Sequence, residues 1–319
     1  MPLGEFDLIE RYFRRASPRD DVLLGVGDDA ALLEVPPGQA LVAATDTLVE
    51  GRHFLAGAPA ESVGHQALAV NLSDLAAMGA DPAWALLSLS LPDADADADW
   101  LQRFAGGLFA IAGQHGVALV GGDTVRGPRV VTVTALGFVP PALALRRDGA
   151  RPGDVLYISG WLGEAAAGLE ALQSGAMTDS SDPLVRRYLF AEPRLALGRA
   201  LRGRATAAMD VSDGLLGDLG KLCAASGAGA RLDLDRLPIP DALARRHSRQ
   251  QCEQFALCGG DDYELLFTLP PVGSGQVETE LARSFALRRI GVIEAEAGVR
   301  CTRGGSPVTV SGGGYDHFA

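Results

Sequence analysis

From Ala67 to Pro82 the chain reads ALAVNLSDLAAMGADP, and its apolar positions recur with a helical period. At about 100° per residue, Leu68, Leu72 and Leu75 fall on one line, while Ala67, Asn71, Asp74 and Met78 fall on another. The first line is expected to be core, and the second carries a single carboxylate, Asp74. Gly79 offers a left-handed cap and Pro82 blocks continuation, so the helix should end on a defined turn between them.

Short apolar and β-branched runs around this helix predict strands at Val22–Val26, Ala40–Ala44, Trp84–Leu91, Val117–Val120 and Val130–Val139, with a helix at Trp100–His115. The stretch RRDGARPGD, within Leu145–Gly153, combines charge, Gly and Pro and marks a boundary. Beyond it the pattern restarts. Strands are expected at Val155–Ser159, Ala205–Met209, Arg231–Leu234, Leu265–Leu269 and Leu287–Ile293, and helices at Gly163–Leu172, Pro193–Leu201 and Val277–Ser284. Ser212 should cap a further helix whose stripe is Leu215, Leu216, Leu219, Leu222 and Cys223. The alternation predicts a two-domain α/β (α+β) protein, divided into 1–148 and 149–319. Ser-Asp at 73–74 and 212–213, and Gly-Gly-Asp at 121–123 and 259–261, form an internal echo that suggests similar loops in both halves.

Composition narrows the classes. At 319 residues with 47% hydrophobic and 21% charged residues, the chain can bury two ordinary cores. A net charge of −12 with no basic patch disfavours nucleic acid or an anionic membrane as partner. The N-terminal MPLGEFDLIERYFRR lacks a signal-peptide core, no apolar run is long enough to span a membrane, and a cytoplasmic setting is expected. Cys223, Cys252, Cys258 and Cys301 contain no C-x-x-C pair, which argues against zinc and disulfides. The acidic repeat PDADADADW reads as a solvated loop leading into a helix. Lys221 is the only lysine, and Leu222 follows it, so no P-loop is present.

The candidate chemistry lies in aspartates at strand ends, helix starts and beside glycines: Asp28 and Asp29 in GVGDDA, Asp46 in ATDTL, Asp74, Asp123 in GGDT, Asp210 and Asp213 in DVSDG, and Asp261 and Asp262 in GGDDYE. Each alone reads first as an ordinary turn or cap residue. Together they would repel one another unless divalent cations held them, and hard oxygen donors without a His or Cys cluster suit Mg²⁺ bridged to phosphates. GVGDDA superficially matches a dinucleotide fingerprint, but its two aspartates would then face a pyrophosphate directly, which makes sense only with a metal between them.

With these motifs assembled, the chain resembles the thiamine-monophosphate kinases, of the superfamily that includes aminoimidazole ribonucleotide synthetase. The resemblance is carried by GEFDLIERYF, GVGDDAALL, TDTLVEGRHF, ALAVNLSDLAAMGADPAW, GGDTVRGP, RPGD, DVSDGLLGDL, GGDDYELLFT and GYDHF. It implies an N-terminal α/β domain that also forms a homodimer and a C-terminal α/β domain. Asp29, Thr45, Asp46, Asp74, Asp123, Asp210 and Asp213 would be metal ligands. Gly122, Asp123, Arg147 and Ser212 would contact ATP, and His53 and Asp261 the substrate; Phe318, with Tyr315 and His317, would either stack on the thiamine rings or dock the C-terminus. Asp74, Asp123, Arg147 and Asp210 would serve catalysis. At a metal-associated position that is often Ser in the family this chain has Ala44, which can offer only its carbonyl. The family's substrate-facing aromatic near Gly312 has no counterpart.

The implied reaction joins ATP and thiamine monophosphate to give thiamine diphosphate and ADP, with several Mg²⁺ ions. A phosphate monoester is already largely ionised at neutral pH, so positioning and charge stabilisation should dominate over base catalysis. Two alternatives stay open: a superfamily member that phosphorylates an amide or carbonyl, and a non-catalytic regulator that binds thiamine phosphate or nucleotide.

Overall fold

The computed structural model describes residues 4–15, 17–92, 98–175, 180–310 and 312–314. The chain divides into two compact units, Met1–Leu75 with Ala80–Ala142, and Ala76–Gly79 with Leu143–Ala319.

The first unit opens with α1 (Glu5–Leu8), continued by a wider turn at Ile9–Phe13, and a small antiparallel pair, β1 (Val22–Leu24) and β2 (Leu32–Leu33). Then come β3 (Ala40–Val49), α2 (Ala60–Ala77), β4 (Asp81–Leu91), α3 (Ala98–His115), β5 (Ala118–Arg126) and β6 (Val130–Val139). The sheet order is β3-β6-β4-β5, antiparallel except for β4 with β5. Burial alternates along β3 and β6 with the period of two that a one-sided sheet requires. Val131, Val133, Leu87 and Leu89 lie on the buried face. Leu41, Ala43, Thr45 and Thr47 of β3 are exposed on the other.

α2 and α3 approach closely at glycines. A Cβ on Gly64 would stand 2.0 Å from the Phe104 carbonyl oxygen, and one on Gly107 would stand 1.9 Å from that of Glu61. Where α2 ends, Gly79 (φ 66°) donates its N–H to the Ala76 carbonyl at 2.9 Å, and Ala80 to Leu75 at 2.7 Å. This is a Schellman closure at the glycine the sequence singles out.

The second unit contains β7 (Val155–Ser159), α4 (Glu164–Gln173), α5 (Pro183–Leu189), α6 (Leu195–Leu201), β8 (Ala207–Val211), α7 (Leu215–Ser226), β9 (Gly229–Asp233), α8 (Asp241–Ala244), α9 (Arg249–Cys258), β10 (Glu264–Leu269), α10 (Ser274–Leu281), β11 (Leu287–Glu294), β12 (Gly298–Arg303) and β13 (Ser306–Val308). Its seven strands run β13-β12-β9-β11-β7-β10-β8, antiparallel apart from β9 with β12. Every residue of β7, β8 and β10 is buried, so both faces of the sheet centre are covered. Leu215, Leu219, Leu222 and Cys223 of α7 pack with Met209, Val211, Leu232 and Leu266. That confirms the stripe read from the sequence, with Leu216 only partly buried beside it. No helix among the described residues is long and apolar enough to cross a membrane.

Three expectations change. Core on α2 is not confined to the Leu68, Leu72 and Leu75 line: Asn71 and Ser73 are fully buried alongside Leu72 and Leu75, so the helix is enclosed nearly all round. Asn71 is tolerated there because its amide donates to the Ala67 carbonyl at 3.0 Å. The internal echo is not structural. Ser73-Asp74 lies within α2 whereas Ser212-Asp213 precedes α7, and Gly121–Asp123 lies within β5 whereas Gly259–Asp261 is a loop after α9. Finally, Ser212 does not cap α7; the residue at its N-terminus is Gly214, at φ 102°. The residues 93–97 of the acidic repeat lie outside the described set.

Candidate active site

The strand-end and helix-start placement expected for the first-unit aspartates does not hold: Asp46 and Asp123 lie inside β3 and β5, which run past them to Val49 and Arg126, and Asp74 lies inside α2. Asp28 and Asp29 are exposed between β1 and β2, where the Asp29 N–H donates to Asp28 Oδ1 at 2.8 Å. Thr45 and Asp46 are neighbours on β3 and therefore alternate faces. The Thr45 hydroxyl, on the open face, donates to the Val133 carbonyl at 3.2 Å and lies 2.9 Å from the Thr134 hydroxyl. An ion held by the Asp46 side chain could reach Thr45 only through its carbonyl. Asp74 is half-buried on an otherwise enclosed stretch of α2.

His53 follows β3 in a tight turn. Its N–H donates to the Val49 carbonyl at 2.9 Å, and the Val49 N–H donates to His53 Nδ1 at 3.0 Å. With the Nδ1 lone pair occupied, a neutral ring carries its proton on Nε2, the arrangement needed to donate to a phosphate oxygen. Asp123 is exposed on β5 in register with Ser88. Its neighbour Gly122 has φ 149°, and a Cβ there would lie 1.7 Å from the Leu87 carbonyl oxygen. Strand pairing thus demands glycine at 122, whatever else binds there.

In the second unit two loops are stitched together. Asp210 is the penultimate residue of β8, at 7% exposure, and Ser212 and Asp213 form the turn into α7. Among the described residues no side chain caps α7; Asp218 instead ties down the turn before it. Its buried carboxylate reaches back from the first turn of α7 to accept the N–H groups of Ser212 at 3.0 Å and Asp213 at 2.9 Å. Burial pushes the Asp218 carboxyl up, and the Lys221 ammonium with these N–H bonds counters it. Lys221 Nζ bonds Asp218 Oδ1 at 2.8 Å and also contacts Asp213 Oδ2.

The facing loop, Gly259–Tyr263, is tied to this turn. Asp261 donates its N–H to the Ser212 carbonyl and Tyr263 to that of Val211. The Tyr263 hydroxyl donates to Asp261 Oδ1 at 3.1 Å. Burial raises the Asp261 carboxyl to about 6; the tyrosine bond opposes this and the Asp213 charge adds to it. Asp262 is buried outright, accepts the Gly163 N–H at 2.7 Å, and is raised to about 8, again mainly by burial. Behind the loop, Arg187 donates to the Asp262 carbonyl at 2.6 Å and to Glu264 Oε1 at 2.8 Å, and Arg194 Nε donates to Glu264 Oε2 at 2.8 Å.

Arg147 is exposed, and its carbonyl accepts the Ser226 hydroxyl at 2.9 Å, which fixes the backbone and leaves the guanidinium at the surface. Phe318, with Tyr315 and His317, lies outside the described residues. The structure therefore brings Ser212, Asp213 and Asp261 together within one unit. Asp218, Lys221, Arg187, Arg194 and Glu264 were not singled out for this site from the sequence. The available signal was Lys221 itself, a lone lysine three residues after an aspartate and eight after another.

The donor chemistry fits a hard divalent cation: the side chains are carboxylates, and at Asp213 an ammonium already stands in for a cation. Among the described residues no three His, Cys, Asp or Glu side chains are gathered closely enough to hold an ion by themselves.

Residues 27–139 match the N-terminal domain, and 151–303 the C-terminal domain, of the AIR synthase related proteins. The two mixed sheets with their helices are thus the two halves of that fold. The thiamine-monophosphate kinase of Escherichia coli K12 is 48% identical over 325 residues, spanning 100% of this chain and 99% of that protein. The crystal structure of thiamine-monophosphate kinase from Stenotrophomonas maltophilia K279a superposes with a TM-score of 0.87 at 47% identity, covering 97% of this chain and 99% of that one. AaThiL complexed with AMPPCP and TMP superposes with a TM-score of 0.78 at 31% identity, over 99% and 97% of the two chains. The chain belongs to the thiamine-monophosphate kinase family, a family of enzymes.

Proposed function

We propose that this chain transfers the γ-phosphoryl group of ATP to the phosphate of thiamine monophosphate, giving thiamine diphosphate and ADP. The observation that carries the reading is its likeness, over essentially the whole length, to thiamine-monophosphate kinases, among them one complexed with AMPPCP and TMP. In the reaction a phosphate oxygen of thiamine monophosphate bonds to the γ-phosphorus as the bond to the bridging oxygen breaks, and ADP leaves with that electron pair.

Asp29, Asp46, Asp74 and Asp123 of the first unit, with Asp210 and Asp213 of the second, would hold Mg²⁺, with Thr45 offering its carbonyl. Bound there, Mg²⁺ ions would screen the two anionic substrates and stabilise charge on the transferring group. Arg147 supplies a mobile cation for the nucleotide phosphates in a chain without a P-loop lysine. Gly122 would present backbone, and Ser212 its hydroxyl, to the nucleotide. His53 donates from Nε2 to the acceptor phosphate, and Asp261, in its left-handed turn, orients thiamine monophosphate together with Phe318. Asp74, Asp123, Arg147 and Asp210 form the catalytic set.

A homodimer formed through the first unit is part of this reading. It is supported by the open face of the β3-β6-β4-β5 sheet, where Leu41 on β3 stays 49% exposed and Val125 on β5 stays 48% exposed. The cytoplasm, where ATP and Mg²⁺ are supplied together, is the proposed setting.

The test is an assay of the purified chain with ATP, Mg²⁺ and thiamine monophosphate, with free thiamine as control acceptor. Thiamine diphosphate and ADP should form in equal amounts, and only with the monophosphate. ADP without thiamine diphosphate would point to the amide- or carbonyl-phosphorylating branch of the superfamily. Tight binding of both ligands without turnover would point to a regulator.

A further inference from the structure

Lys221 is the chain's only lysine, and it bridges two carboxylates of different character. The Asp218 side chain is 1% exposed and already fixed by the N–H groups of Ser212 and Asp213, so its bond to the ammonium is an anchor. Asp213 is 30% exposed, and the lysine itself 45%, so the second contact is open to exchange with solvent ions.

We propose that Lys221 is the resident counter-ion of Asp213, a tethered competitor that a divalent cation must displace, and that it thereby sets the affinity of the nucleotide-free chain for that cation. The inference rests on the reading of Asp213 as a metal ligand. An ammonium has three donors and no acceptor, so it occupies carboxylate lone pairs that an ion would use. It also cancels one unit of the negative charge that attracts the ion. Because Asp218 keeps the ammonium within reach, the competitor is intramolecular and always present, and added salt only screens its contact with Asp213. Lys221 acts here through Asp213 and is a positioning residue. The Walker-A motif, which the sequence lacks, would instead direct its lysine at nucleotide phosphates.

The test uses the full chain without nucleotide and Mn²⁺ as probe, with free Mn²⁺ followed by electron paramagnetic resonance. Lys221→Gln should bind Mn²⁺ about 3- to 10-fold more tightly, a modest gain because the pair is partly exposed. Lys221→Arg should stay near the parent. Asp213→Asn should weaken binding, and adding Lys221→Gln to it should give no further gain. Unchanged or weaker binding in Lys221→Gln, an equal gain in the Asp213→Asn background, or no Mn²⁺ binding by the parent would each overturn the proposal. A second measurement needs no variant. Since one lysine is present, acetylation read by peptide mass spectrometry reports Lys221 alone, and its rate should rise along the Mn²⁺ binding curve. A rate indifferent to Mn²⁺ counts against displacement. Neither readout requires phosphoryl transfer, so failure of the proposed kinase reaction would leave this result distinct.

Discussion

Asp261 donates its backbone N–H to the Ser212 carbonyl at 2.9 Å while its own φ stands at 67°. Two residues on, Tyr263 repeats the arrangement, bonding Val211 at 2.8 Å with φ 48°. Left-handed backbone at a non-glycine costs on the order of 1 kcal/mol, and tolerably little for aspartate. Two such residues in three, each bonded to the DVSD turn, show a loop shaped by its surroundings. The buried Arg187–Glu264–Arg194 group supplies much of that constraint.

Glu264→Gln should therefore destabilise the second unit by about 3–5 kcal/mol, because two partly buried guanidinium groups lose their common charge partner. Urea unfolding would show it as a lower midpoint. A midpoint within error of the parent would mean that solvent compensates both arginines.

Gly122→Ala separates packing from binding. With 1.7 Å between the added Cβ and the Leu87 carbonyl oxygen, β5 must move away from β4, and we expect a stability loss of about 2–3 kcal/mol. Thermal unfolding without ligands is the measurement. An unaltered melting temperature with weakened ATP binding would instead assign the glycine to the nucleotide alone.

The buried Asp262 predicts a sloping pH profile. Its carboxyl is raised to about 8 in the folded chain against an ordinary value near 4, so between these values the folded state keeps a proton that the unfolded state releases. Its stabilising contribution is complete below about pH 4 and is lost as pH rises through 8, by at most about 1.4 kcal/mol per pH unit. Asp262→Asn should flatten the slope above pH 6. A residual slope from 4 to 6 should persist from Asp261, which is raised to about 6. Parallel profiles for parent and variant would rule Asp262 out as the source.

Asp74→Asn keeps the size and burial of a half-enclosed side chain. On the proposed reading it should lower kcat roughly a hundredfold or more while leaving the circular dichroism spectrum and melting temperature near the parent. Near-normal turnover at ordinary Mg²⁺ would remove Asp74 from the catalytic set.

The fold was legible where local chemistry dominates. Gly79 closes α2, Gly227 closes α7 in left-handed conformation, and the β-branched run at 130–139 is β6. The second-domain motifs DVSDG and GGDDYE also led to residues that meet. What periodicity could not reveal was enclosure from several sides: only the Leu68, Leu72 and Leu75 line reads as core, yet Asn71 and Ser73 are buried too. Nor could spacing show that a side chain three residues inside a helix would reach back and hold the turn that precedes it. Ser212 is a good cap by residue type, yet the residue at the start of α7 is Gly214, at φ 102°, and Asp218 accepts the N–H groups of Ser212 and Asp213 before it. The partners of Glu264 are 70 and 77 residues distant in sequence and carry no local signature.

The paired glycines of α2 and α3 have one further consequence. Gly64 faces the backbone of α3, and Gly107, one turn beyond Phe104, faces the backbone of α2, so each helix acts as a stop for the other. Sliding the helices past one another would carry a side chain such as Val63 or Leu108 into main chain, so the pair behaves like a keyed shaft with one seating. Asp74 sits ten residues along that shaft from Gly64, and its height above the sheet is thus indexed by two positions where side chains are missing. Substitutions at Gly64 or Gly107 would misplace that carboxylate from nearly three turns away without touching it.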